Sequence, residues 1–285
     1  HAQHFHASFL PDGITPAGFE TNGLPPSPGS PYSEPCRTDA GSPIATNRTY
    51  RAAVIELDII LNKVGWHFNQ SRIITLEGDV DATLNRTRAP EPFTMRANTG
   101  DCIDFYHTNL VPNVYLQDDF QVKTPTDVIG QHIHLVKFDV MSADGSGNGW
   151  NYEDGTFSPG EVIERIHAIN AYNDINRPGT PHLQPAPGFK GVLGARTSIQ
   201  HWYVDAVLNN KGEDRGLGNV YTHDHFGPST HQQAGLYATL LTEPAGSTWR
   251  DPDTGQMLGT RSDGGPTSWN ADILDGENSH REFYL

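Results

Sequence analysis

Between Tyr50 and Thr242 the chain is cut into short β-branched and aromatic runs, each closed by Gly, Pro, Asn or Asp. That punctuation restricts it to strand-and-turn architecture. Arg51 to Leu61 (RAAVIELDIIL) is β-branched and apolar, Arg72 to Leu76 is a shorter run, and Phe93-Thr94-Met95-Arg96 opens another. Ile103-Asp104-Phe105-Tyr106-His107 alternates after the turn Asn98-Thr99-Gly100-Asp101. Further strands are expected at Gly130 to Val140, Glu161 to Ile166 (after the turn Ser158-Pro159-Gly160), His201 to Val204, Asn219 to Thr222 and Gly235 to Thr242. Loops are expected at 142–155 and about 173–195. With 29 Gly and 21 Pro among 285 residues, the pattern predicts a β-sandwich or barrel rather than a helix bundle.

The flanks read differently. Residues 11–49 are loop-like, because Pro25-Pro26-Ser27-Pro28-Gly29-Ser30-Pro31 suits neither a helix interior nor a central strand. After Glu243 the chain turns polar and Gly/Pro-rich, and Arg281 to Leu285 is expected to start another strand. The partition is therefore a domain at 50–245 with pieces of neighbours on each side. The opening His1-Ala2-Gln3-His4-Phe5-His6 reads as the middle of something, so a processed or truncated chain is expected. A net charge of −15 without an acidic tail argues against nucleic acid and anionic membrane surfaces as partners. No stretch approaches the roughly 18–20 apolar residues of a membrane span. Cys36 and Cys102 are the only cysteines, and the sequence leaves open whether they pair. Asn47-Arg48-Thr49, Asn69-Gln70-Ser71 and Asn85-Arg86-Thr87 are glycosylation tripeptides, permissive of secretion and no more.

Two His-x-His pairs carry the chemistry: His132-Ile133-His134 and His223-Asp224-His225. A strand puts residues i and i+2 on one face, ~6.6 Å apart. Two imidazoles so placed can close on one metal ion or reach two neighbouring ions ~4 Å apart. A third cluster, His1-x-x-His4-x-His6, opens the chain. Imidazole-only coordination suits copper or zinc far better than magnesium or calcium. Zinc hydrolases show a three-ligand site beside a carboxylate base, and no His-Glu-x-x-His occurs here, so copper is preferred.

These residues resemble the multicopper oxidases, which are built from cupredoxin domains. Phe93 to Val111 is similar to the strand–Gly-Asp–strand unit before the first copper motif, and Gln131-His132-Ile133-His134 to that motif. Ser158-Pro159-Gly160-Glu161 resembles the Pro-Gly turn that follows it. Asn219 to His225 is similar to the second motif, and Gly235-Leu236-Tyr237 to the turn that ends the domain. The resemblance implies an all-β, cupredoxin-like Greek-key β-sandwich or barrel with long loops and partial flanking segments. Residues 1–49 would be a remnant of a preceding cupredoxin domain plus a linker, 50–245 the domain itself, and 246–285 a linker and the start of the next. It further implies that His132 binds a type 2 copper and that His134, His223 and His225 bind the type 3 pair. His1 would be a type 1 ligand, with His4 a type 2 and His6 a type 3 ligand. Large multidomain bacterial oxidases, with their insertions, are the nearest in kind, and an insertion is expected within 141–200.

The departures from the pattern are as informative. A blue-copper centre needs a Cys thiolate with two His. The middle residue of the second pair, where the family has that Cys, is Asp224, and strand alternation aims it at the opposite face. Neither Cys36 nor Cys102 has the required setting, so no complete type 1 centre is expected in this chain. Two pairs supply only part of a trinuclear cluster, so another cupredoxin domain or subunit must complete it. His67, His107, His167, His182, His201 and His280 are expected to be surface or hydrogen-bonded structural residues, and His231 a channel residue rather than a ligand. The implied function is a laccase-like or metal-ion oxidase that reduces O2 to water while a small reducing substrate is oxidised. It would work in a secreted, periplasmic or cell-surface setting. Two alternatives stand beside it. One is a non-catalytic cupredoxin module for copper binding or assembly. The other is a mononuclear-metal cupin, disfavoured because no Glu follows His134 within Leu135 to Asp139.

Overall fold

The computed structural model describes residues 7–9, 16–19, 35–36, 46–112, 127–140, 143–147, 154–184 and 196–284. Strands β1 (Ala7–Phe9) and β2 (Pro16–Phe19) pair antiparallel, so the segment expected to be loop holds a short strand. Strand β3 (Asn47–Ile60) is central, and its run of apolar residues has a physical reason: both faces are covered. Tyr50, Ala52 and Val54 enter the main core, whereas Ala53, Ile55 and Leu57 pack with Val80 on the other side.

Strand β4 (His67–Leu76) pairs antiparallel with β3 and leads to the short helix α1 (Val80–Leu84). The chain then crosses to a second sheet as β5 (Thr94–Asn98) and returns as β6 (Cys102–Asn109), parallel to β3. Strands β7 (Ile129–Ile133) and β8 (Gly155–Thr156) lie in the second sheet. Helix α2 (Pro159–Asn176) and β9 (Thr197–Tyr203) follow, the latter antiparallel to β6. Strand β10 (Gly218–Asp224), the single turn α3 (Pro228–His231) and β11 (Tyr237–Glu243) complete the sandwich. The sheet orders are β4-β3-β6-β9 and β5-β11-β10-β7-β8. The chain alternates between sheets, and each sheet mixes parallel with antiparallel pairs. The fold is the expected all-β sandwich, two mixed sheets enclosing one core. Ile74, Met95, Ile103, Phe105, Ile129, Ile133, Trp202, Val220 and Leu240 fill the space between the sheets.

Residues beyond Glu243 form β12 (Thr248–Arg250), β13 (Asn270–Leu274) and β14 (His280–Phe283), a three-stranded sheet around Trp249, Ala271 and Ile273. It is bound to the sandwich by bridges from Tyr50 to Gly264 and from Met95 to Thr267. Cys36 and Cys102 form a disulfide that ties the preceding segment to the start of β6.

One expected strand is a helix. Glu161 to Ile166 lies in α2, because Ser158 is an N-cap whose hydroxyl accepts from the Glu161 N–H at 3.2 Å and Pro159 stands at the first helical position. The Ser-Pro-Gly-Glu sequence taken for a turn is a helix start, with the Glu161 carboxylate accepting from Arg165 four residues on at 2.6 Å. Val162, Ile163 and Ile166 then share one face against Val128, Phe157 and Phe226. Strand β7 is also shorter than expected: it ends at Ile133, and Leu135 has φ of 64°.

Candidate metal centre

Strands β7 and β10 run antiparallel in register, with His132 opposite His223, Ile133 opposite Thr222 and Gln131 opposite Asp224. The ladder continues past both strand ends. The His134 N–H donates to the Tyr221 carbonyl at 3.1 Å, and the His225 N–H to the Gly130 carbonyl at 2.9 Å. Alternation therefore holds through all four histidines and puts their rings on one face. Ring centroids are 4.4 Å apart for His132 and His225, 4.8 Å for His132 and His134, and 5.1 Å for His134 and His223. The Nε2 atoms of His134 and His223 are 3.0 Å apart. His223 is buried, His132 and His225 are partly covered, and His134 is exposed.

The Nδ1 atoms of His132, His223 and His225 lie against carbonyls. His132 Nδ1 lies 2.8 Å from the Asp144 carbonyl oxygen, and His225 Nδ1 3.2 Å from the same atom. His223 Nδ1 lies 2.7 Å from the carbonyl of Asp224 and 2.8 Å from the Gln232 amide nitrogen, which also donates to that carbonyl at 3.0 Å. An imidazole whose Nδ1–H is given to a carbonyl keeps its Nε2 lone pair for a metal. Burial, then the positive end of His225, lowers the His132 pKa from its ordinary value. Burial, then His223, does the same to His134, so both rings favour the neutral form that a metal binds.

Asp144 is the residue that sequence reasoning missed. Its carboxylate oxygens stand 3.2 Å from Nδ1 of both His132 and His225, and Ser146 donates to one of them. Ligand atoms of His132, His134 and His223 lie within 4.8 Å of one another, as do those of His132, Asp144 and His225. Two contiguous groups that share His132 are thus able to hold metal. The signal in the sequence was Asp144-Gly145 in the loop after the first pair, but nothing local says that this loop folds back over β7. Gly130 and Gly145 make that return possible: a Cβ on Gly130 would sit 2.0 Å from the Gly145 carbonyl oxygen. The donor set fits copper or zinc, being nitrogen-rich, contiguous and fixed at the second ring atom.

His1, His4 and His6 lie outside the described residues. Asp224 points to the inner face, as alternation required, and is 1 % exposed. His231 is no channel residue: it is fully buried, and its Nδ1 donates to Asp224 at 2.9 Å. His67 and His182 pair with Asp58 and Asp174 at the surface. His107 differs from its expected role, being neither at the surface nor hydrogen-bonded. It is buried against Phe105 with no hydrogen-bond partner at either nitrogen, and burial pushes its pKa down to about 4. Both cysteines of the chain are in the disulfide, so neither supplies a thiolate. Among the described residues no helix is long and apolar enough to cross a membrane.

No protein-family profile matches the chain, and no curated protein matches it in sequence. Solved structures do resemble it. A multicopper oxidase is 16 % identical over 94 % of this chain and 56 % of its own, with a TM-score of 0.38. A multicopper oxidase from Pseudomonas thermotolerans is 10 % identical over 70 % of this chain and 30 % of its own, also at 0.38. A copper nitrite reductase from Nitrosomonas europaea is 12 % identical over 70 % of this chain and 43 % of its own, at 0.35. The chain thus spans between 30 % and 56 % of the length of these three structures.

Proposed function

We propose that this chain is an oxidoreductase domain of multicopper oxidase type, in which His132, His134, His223 and His225 contribute to a type 2/type 3 copper cluster. Supporting this is one observation: four imidazoles from two adjacent strands converge, with two Nε2 atoms 3.0 Å apart. Bound copper would supply one-electron chemistry, taking electrons singly from a reducing substrate and delivering them to O2 to give water. The chain's own part is geometric. The Asp144 and Asp224 carbonyls fix ring orientation, and the β7–β10 register sets the spacing of the pairs.

His134 is the exposed member of the four, and a second cupredoxin domain or subunit would bring the remaining ligands to that side. In this reading 1–49 and 246–285 flank one cupredoxin domain at 50–245, and His4, His6 and the type 1-like His1 belong to the preceding domain. Tyr221 stacks on His223 at 5.1 Å. An apolar cleft of about 310 Å³ lined by Phe93, Tyr237, Trp269 and Tyr284 lies one strand from His223 and suits a small phenol better than a metal-ion reductant. The Cys36–Cys102 disulfide fits a secreted, periplasmic or cell-surface setting.

Copper content per chain, electron paramagnetic resonance and oxygen uptake with a phenol test the proposal, with His132→Ala and His223→Ala as controls. Loss of copper in both variants and a near-ultraviolet type 3 band are the expected results. Unchanged copper content in both variants would refute the ligand assignment. A second reading, a non-catalytic copper-binding module, is favoured by the lack of a thiolate. Copper bound without a type 3 band or oxygen uptake would select it.

A further inference from the structure

We propose that Asp224 is a positioning residue for this centre, its carboxylate locking together the two strands and the loop that carry the four imidazoles. The inference rests on reading those imidazoles as a metal site. Asp224 stands between His223 and His225 in sequence but on the opposite face of β10, inside the sandwich. Its Oδ2 accepts from the Gly130 N–H at 2.9 Å. Its Oδ1 accepts from the Gly227 N–H at 2.8 Å and from His231 Nδ1 at 2.9 Å.

Each partner lies beside a ligand. Gly130 is two residues before His132, and Gly227 is two after His225. The carboxylate thus adds a rung between β7 and the chain leaving β10, where the backbone ladder runs out. His231, on α3, closes the loop that starts at His225, and its ring stacks on Phe226 at 6.5 Å. Gly227 approaches that ring so closely that a Cβ there would sit 2.9 Å from it.

The side-chain type follows from this geometry. A buried charge is tolerated when fully hydrogen-bonded, and three N–H groups meet this one. A thiol, a hydroxyl or a carboxamide offers one acceptor atom. Only a carboxylate has two oxygens, one for Gly130 and one for Gly227 with His231.

The test is Cu(II) affinity of the full chain by competition with a chromophoric chelator, read with paramagnetic resonance and thermal melting. Asp224→Asn keeps the size but removes one acceptor, and binding is expected to weaken about 10- to 100-fold with altered nitrogen hyperfine structure. His231→Leu should weaken binding about tenfold, whereas His231→Asn, which keeps an N–H near the Nδ1 position, should stay within about threefold of wild type. If Asp224→Asn does not fold, the two His231 variants decide. Wild-type affinity and spectrum in Asp224→Asn and His231→Leu overturn the inference and leave the site reading intact. A wild-type chain that binds no copper through nitrogen overturns the site reading first, and the inference with it.

Discussion

His134 and His223 face one another with Nε2 atoms 3.0 Å apart, a separation that two ring nitrogens reach only with a proton or a cation between them. If one copper ion lies there, the two side chains act as a unit. The double variant His134→Ala/His223→Ala should then bind Cu(II) little more weakly than either single variant. Chelator competition on the four proteins measures this, and full additivity would place the two rings on separate ions.

Asp144 supplies both a carbonyl and a carboxylate to the Nδ1 atoms of His132 and His225. Replacing it by Ala leaves the carbonyl but removes the charge. Asp144→Ala should lower Cu(II) affinity about tenfold at an unchanged melting temperature. Equal affinity would mean that the carbonyl alone orients the rings.

The loop bearing Asp144 depends on Gly145. It has φ of +81°, and a Cβ there would meet the Gln131 backbone at 2.5 Å. Gly145→Ala should cost about 1–3 kcal/mol and lower the melting temperature by roughly 3 °C or more. Copper affinity should fall with it, because Gln131 adjoins His132. Calorimetry and copper titration on one sample check both.

With both cysteines in the disulfide, the copper-loaded chain should show no intense absorption near about 600 nm, the signature of a Cys-ligated blue centre. An absorption spectrum after stoichiometric Cu(II) addition is sufficient. A blue band would mean that a thiolate becomes available.

Glu243 offers a pH test that does not involve the four histidines. Burial, then the negative charge of Glu282, pushes its pKa from 4.5 up to about 7, against the opposing pull of Arg96. Its Oε1 has no hydrogen-bond partner and stands 3.7 Å from Arg96 Nη1, which bonds Glu282 at 2.8 Å instead. Because the folded value is the higher one, the protonated acid favours the fold. That contribution is complete below pH 4.5 and is lost as pH rises to about 7. Glu243→Gln should therefore match wild type near pH 4.5 and melt at a higher temperature above pH 7. Parallel melting curves for the two proteins across that range would contradict the assignment.

Much of the sandwich was legible because strands announce themselves locally. Arg51 to Leu61 is apolar on both faces and proves central, and the runs around Met95, Phe105 and Leu240 all reach the core. The helix α2 was misread because Val162, Ile163 and Ile166 are β-branched and few. The stronger signal was the cap at Ser158, whose hydroxyl serves the Glu161 N–H. His107 was misjudged because an unpartnered buried imidazole leaves no mark in the sequence; only the packing against Phe105 defines it.

The sequence by itself determined that His132, His134, His223 and His225 project from their strands in pairs and that Asp224 projects the other way. Alternation is a property of the extended backbone and needs no tertiary contact. Tertiary structure alone decided that the two pairs meet, that Asp144 returns to hold two of the rings, that Cys36 finds Cys102, and that Gly130, Gly227 and His231 converge on Asp224. Those contacts join residues distant in the chain or turned together by a loop. They depend on strand order and register, which the packing of the whole sandwich sets.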